Sequence, residues 1–139
     1  MTLYEIIRTI EGVMRAQANC GTIIPNDVFR LNETAEAKYP AFAWTQGDHV
    51  MTGSDFIRYS FTLYYAERLT EDRSNEVTAQ SDGVEALTNI VKSLRESHRL
   101  DVEGVTLTTF IQRFKDLTAG AYCRMSVLVP VTQSCEETF

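Results

Sequence analysis

Cysteine is scarce and poorly placed for cross-linking. Cys20, Cys123 and Cys135 are the only three, an odd number with no CxxC spacing. That excludes a paired disulfide framework and points to reduced thiols and an intracellular folding compartment. Histidine is limited to His49 and His98, neither of which has a second ligand at metal spacing, so no metal site is expected. The GxxxxGK[ST], GxGxxG and HExxH patterns are all absent, which leaves phosphate loops, dinucleotide sites and zinc-protease helices without support, and no cofactor is expected. Nowhere do 18 apolar residues run together, so no membrane-spanning helix is expected. Glu5, Arg8, Glu11 and Arg15 interrupt the first twenty positions, which rules out a signal peptide there. Positive charge is also in deficit, with a formal net charge of −6. A protein that grips nucleic acid by neutralising phosphates has the opposite balance, although a surface past which DNA slides without sticking does not. The sequon-like Asn32-Glu33-Thr34 is a pattern frequent by chance and is set aside.

What the chain does have is a run of fourteen residues, Phe56 to Leu69, in which Ile57, Tyr59, Phe61, Leu63 and Tyr65 alternate with Arg58, Ser60, Thr62, Tyr64 and Ala66. Such alternation is the mark of a half-buried strand. Fully extended it spans about 46 Å, against a diameter of roughly 37 Å for a compact chain of this length. The strand must therefore bend or project. Ile57 to Phe61 is expected on the helices, and Tyr64 to Leu69 beyond the core against another subunit.

At 139 residues and 44% hydrophobic content the chain is read as one α+β domain over residues 1–131, followed by a C-terminal polar tail at 132–139. Leu3, Ile6, Ile7, Ile10, Val13 and Met14 share a face of a helix running to about Gln17, with Thr2 and Glu5 as a capping box. Gly21 to Lys38 is mixed, with a turn at Pro25-Asn26-Asp27 and a short strand at Val28 to Leu31. Tyr39-Pro40 opens the strand Ala41 to Thr45, and Gly47 to Ser54 reads as a loop. A second helix follows from about Val77 to Glu96, burying Val77, Val84, Leu87, Ile90, Val91 and Leu94. Val105 to Gln112 and Ala121 to Val131 form a closing hairpin, with Pro130 at an edge or strand end. The expected architecture is an antiparallel, or mixed, sheet of about four strands packed by two helices in the order αββαββ.

Candidate chemistry is thin. His49 beside Asp48 reads as a solvated loop histidine, and His98 as a complement to the dipole at a helix end. Glu67, Glu71 and Asp72 read as a solvated rim flanked by Arg68 and Arg73. Cys123 reads as core. Tyr59, Phe61 and Tyr65 are most simply core too. Tyr64 lies on the polar side of its strand, where an aromatic ring needs exposure or cover from another chain. Phe42 and Trp44 also need cover, from core or interface. Tyr64, Tyr65, Glu67, Arg68, Phe42 and Trp44 are accordingly the candidate subunit-interface residues, and no catalytic set is assigned, so an enzyme is not expected.

The element order and the segment Tyr39-Pro40-Ala41-Phe42-Ala43-Trp44 resemble the tail-completion or tail-terminator proteins of tailed bacteriophages. The stretches Arg58 to Asn75 and Gln112 to Cys123 are similar to small neck proteins of the crAss-like group. That resemblance implies a structural virion protein, a homo-oligomeric ring of roughly six or twelve copies. It would sit in the neck between portal or adaptor and tail, be assembled in the bacterial cytoplasm, and let DNA pass its lumen without specific binding. The alternative reading is a small dimeric ligand-binding or regulatory α+β module whose pocket is lined by Tyr64, Phe42 and Trp44.

Overall fold

The computed structural model describes residues 1–17, 20–26, 38–111 and 118–131. The expected strand at Val28 to Leu31 and the tail at 132–139 lie outside them. Among the described residues, two helices, α1 (Leu3–Arg15) and α2 (Glu76–Glu96), accompany six strands, β1 (Ile23–Ile24), β2 (Ala41–Gln46), β3 (Val50–Thr52), β4 (Phe56–Arg68), β5 (Asp101–Ile111) and β6 (Thr118–Pro130). The strands form one mixed, mostly antiparallel sheet in the order β1-β2-β4-β6-β5, with β3 also paired to β4. This corrects the expected four strands in the order αββαββ, because the chain runs α1-β1-β2-β3-β4-α2-β5-β6. The missed strands are short. β1 has two residues paired parallel to β2, and β3 is three exposed residues inside the expected loop, where no alternation in burial could mark it.

Local chemistry explains the helices. Thr2 Oγ1 accepts from the Glu5 amide at 3.2 Å, and Glu5 Oε1 accepts from the Thr2 amide at 3.0 Å, closing the capping box of α1. Its apolar stripe buries Ile6, Ile10, Val13 and Met14. α2 buries Leu87, Ile90, Val91 and Leu94, whereas Val77, expected on that face, is 74% exposed because it sits in the first turn, beyond the sheet. Both helices pack on one face of the sheet, against Phe42, Trp44, Phe61, Leu63, Tyr65, Cys123, Met125 and Val127. Trp44 anchors β2 to α1 through its indole N–H, which donates to Glu11 Oε2 at 3.0 Å.

β4 neither projects nor lacks a partner. β6 pairs with all thirteen of its residues, Phe56 opposite Pro130 through Arg68 opposite Thr118. On the other side β2 pairs with Phe61 to Ala66, and β3 with Phe56 to Arg58. Phe61 is buried under the helices with Ile57 and Tyr59 packed against the same core, as expected, but the expectation for the far end is corrected, since Tyr64, Tyr65, Ala66 and Leu69 are buried within one copy. α2 lies over the Tyr65 end, where Gly83 comes against Ala121 and Tyr65.

The gap between β2 and β3 explains His49. Gly47, Asp48 and His49 stand opposite Tyr59 and Ser60, so one residue is in excess and the ladder is broken, as at a bulge. The Gly47 amide still donates to Ser60 O at 2.8 Å. The Ser60 amide donates instead to His49 Nδ1 at 3.2 Å, and His49 Nε2 meets Gln46 Oε1 at 2.9 Å. An Nδ1 acceptor implies the neutral ring with its proton on Nε2. His49 is therefore half-buried, packed on Tyr59 at 5.2 Å, and supplies a missing ladder acceptor; the solvated reading is corrected.

Candidate functional site

The six candidate interface residues occupy different environments. Within a single copy Phe42 is 1% exposed, Trp44 5%, Tyr65 6% and Tyr64 8%. The first three belong to the core under the helices. Tyr64 lies on the opposite face, in a second apolar cluster with Ile24, Ala41, Ala43, Ala66 and Phe110. Small alanines make a flat floor there, and the Tyr122 ring stands 5.7 Å from that of Tyr64. The polar-side aromatic thus finds cover without a second chain. Because Phe42 and Trp44 face the helices and Tyr64 faces away, these three do not line one pocket.

Glu67 and Arg68 close the far end of β4. Arg68 is exposed, with its guanidinium 5.0 Å from the Tyr39 ring centre. Glu67 lies in a cleft of about 330 Å³ with Gln17, Pro40, Phe42, Tyr65, Asp82 and Glu85. The Tyr65 hydroxyl donates to Glu67 Oε2 at 2.7 Å, and the Asp82 carboxyl lines the same cleft. Burial, foremost, and the Asp82 carboxyl push the Glu67 carboxyl above its ordinary 4.5, against the lowering effect of the Tyr65 bond. Burial first, then Glu67, push the Tyr65 hydroxyl up strongly. A carboxyl whose folded pKa is raised favours the native state below its unfolded value, and that contribution is lost as pH rises through 4.5 toward the folded value. Glu67→Gln retains an acceptor for Tyr65 and gains a donor for Asp82. The variant is expected to melt higher than the parent at pH 7, with the difference vanishing below about pH 4; thermal melts across that range measure it.

The remaining sequence candidates are structural. Asp72 accepts from the Ser74 amide at 3.0 Å and from Thr70 Oγ1 at 2.8 Å, bonds that lower its pKa. It shapes the exposed turn before α2. Burial pushes the Cys123 thiol up to about 11, so it is an inert core thiol. No group of three or more His, Cys, Asp or Glu residues among the described residues could hold a metal ion.

Two surfaces that the sequence reading overlooked are apolar and exposed. The first is the outer edge of β5, the last strand of the sheet, with no further strand beside it among the described residues. Leu107 and Ile111 are exposed there. Beside them runs a groove of about 280 Å³ between β5 and α2, lined by Thr88, Val91, Lys92, Arg95, Val105 and Leu107. From Val105 to Ile111 this strand carries no charge, whereas exposed edges are commonly blunted by charge or proline. The second surface surrounds the β3–β4 turn. Met51 is 60% exposed, and Met1, Tyr4, Val50 and Val131 are exposed too; Met1, Leu3, Met51, Ile57 and Val131 line a depression of about 270 Å³. The register puts the surfaces at diagonal corners. Met51 stands level with Val129 of β6 and on the β1 side of β4, while Leu107 and Ile111 stand level with Cys123 and Ala119 on the other side. The signal for the first was legible as the uncharged Thr-rich run Thr106 to Thr109. The second had none, because Met51 falls in a segment that reads as loop. A scan of the sequence against protein-family models matches none, and a search of curated proteins returns no similar chain.

Proposed function

We propose that this protein is a structural subunit that assembles into a homo-oligomeric ring, the head-to-tail connector of a tailed bacteriophage being the setting that the likeness of its Tyr39-Pro40-Ala41-Phe42-Ala43-Trp44 segment suggests. The observation that carries the reading is the pair of unlike apolar surfaces at diagonal corners of one sheet, the open β5 edge with its groove and the Met51 corner. Head-to-tail closure requires two different patches on each copy, and large exposed apolar patches mark contact sites. An open strand edge adds main-chain hydrogen bonds to such a contact. The net charge of −6 is consistent with a lumen that DNA traverses without adhering.

Light scattering of the purified chain, followed by negative-stain imaging, tests this directly. Closed rings whose mass is an integral multiple of 15.7 kDa are expected at high protein concentration or on adding a portal partner. A chain that stays monomeric under both conditions overturns the reading.

A further inference from the structure

The β5 edge and the α2 groove form a seat for an extended strand, and the chain contains a segment suited to it. We infer that residues 132–139 of one copy dock along the outer edge of β5 of the next, completing its sheet; the inference rests on the ring reading above. Four observations converge. β6 and Val131 finish at the Met51 corner, where the Val131 amide donates to Asp55 O at 2.8 Å, so the segment continues from one of the two proposed contact surfaces toward whatever meets it. Eight residues extend over about 26 Å, enough to follow most of the eleven-residue β5.

Composition suits a strand. Thr132 to Phe139 holds neither proline nor glycine, and period-2 spacing puts Gln133, Cys135, Glu137 and Phe139 on one side. The groove beside β5 has an apolar floor of Val91, Val105 and Leu107, of a size to take one aromatic side chain. Charge is complementary. In a chain of net charge −6 this groove carries Lys92 and Arg95 against Glu96 alone, and the segment brings Glu136 and Glu137. Lys92 is exposed, while Arg95 is already committed in part, its guanidinium donating to Val102 O at 2.8 and 3.1 Å. Lys92 is therefore the cation assigned to Glu137, which shares a side of the strand with Phe139. An extended segment laid along an open edge is the geometry of β-augmentation, in which the main chain supplies affinity and side-chain pockets supply register.

Cys135 provides the test within the full-length chain. Thr109→Cys places a thiol on an exposed position of β5 on the groove face, shared with Leu107, and Thr106→Cys on the opposite face and Arg8→Cys on α1 serve as controls. Isotopically heavy and light preparations are mixed, assembled and mildly oxidised, and the disulfides mapped by mass spectrometry. Heavy–light pairs joining Cys135 to position 109 are expected, well above those to position 106 and to the α1 control. Lys92→Glu in the same background is expected to lower their yield by up to about fivefold, and adding Glu137→Lys to restore it. Rings that form with no such pair, or pairs formed only within one chain, overturn strand donation and leave the ring reading standing. A chain that never assembles by light scattering overturns the ring reading itself.

Discussion

Gly120→Ala is expected to be among the most destabilising single substitutions in the chain. Gly120 lies opposite Ala66 in the central β4–β6 pair, and a Cβ there would overlap the carbonyl oxygen of Tyr65, with the Ala66 Cα only 3.2 Å away. The obstruction is backbone on the neighbouring strand, so no rotamer change relieves it. Space is the cause, not φ, since Gly120 is not among the glycines with positive φ. Relief requires β4 and β6 to part near the Tyr65 end, where α2 also packs so closely that a Cβ added at Gly83 would come within 2.9 Å of the Ala121 amide nitrogen. Disrupting the pair that carries both flanking strands should cost about 4 kcal/mol or more, a large fraction of the roughly 5–15 kcal/mol that holds a domain together. Urea unfolding followed by circular dichroism measures it. A variant within about 1 kcal/mol of the parent would show that the strands do not approach so closely. Gly12→Ala is the contrasting case. Gly12 sits inside α1 with nothing within 4 Å of an added Cβ, so the same substitution should stabilise by about 0.5–1 kcal/mol.

The parts of the fold that were legible in the sequence are those whose burial pattern is local. Thr2 and Glu5 marked the start of α1 because both halves of its cap lie three residues apart. The alternation from Ile57 to Tyr65 marked β4, and Val84 to Leu94 marked the face of α2. What failed depended on distant partners. The length of β4 suggested projection only because nothing in its own sequence reveals that β6 has the same thirteen residues and matches it rung for rung. Tyr64 looked misplaced because the second apolar cluster is assembled from Ile24, Ala41, Ala43, Ala66 and Phe110, scattered over more than eighty positions. β5 begins at Asp101 rather than Val105 because the pairing shifts between Glu103 and Thr106, with Gly104 at φ +62 breaking the alternation that would have shown its first residues. The exposed apolar surfaces were hidden for a related reason. Sequence reasoning looks for large aromatics as anchors, and here Phe42, Trp44, Tyr64 and Tyr65 are needed inside, leaving Leu107, Ile111 and Met51 outside.

Leu107→Glu and Met51→Glu should each leave the chain monomeric and folded, yet restore association when mixed. Each residue is exposed in a single copy, Leu107 by 37% and Met51 by 60%, so a carboxylate costs little in the folded monomer. At a dry contact the same carboxylate is desolvated without a partner, a penalty of several kcal/mol. In a head-to-tail ring every contact joins the β5 edge of one copy to the Met51 corner of the next. A Leu107→Glu copy retains a sound Met51 corner, and a Met51→Glu copy retains a sound β5 edge, so one productive contact survives between them. The mixture should therefore yield a heterodimer of twice the 15.7 kDa chain mass and nothing larger, because its two remaining surfaces both carry the added charge. Isologous pairing predicts otherwise, since a two-fold contact through β5 would be blocked by Leu107→Glu alone and left intact by Met51→Glu. That outcome, read by light scattering of each variant and of the equimolar mixture, would replace the ring with the dimeric module.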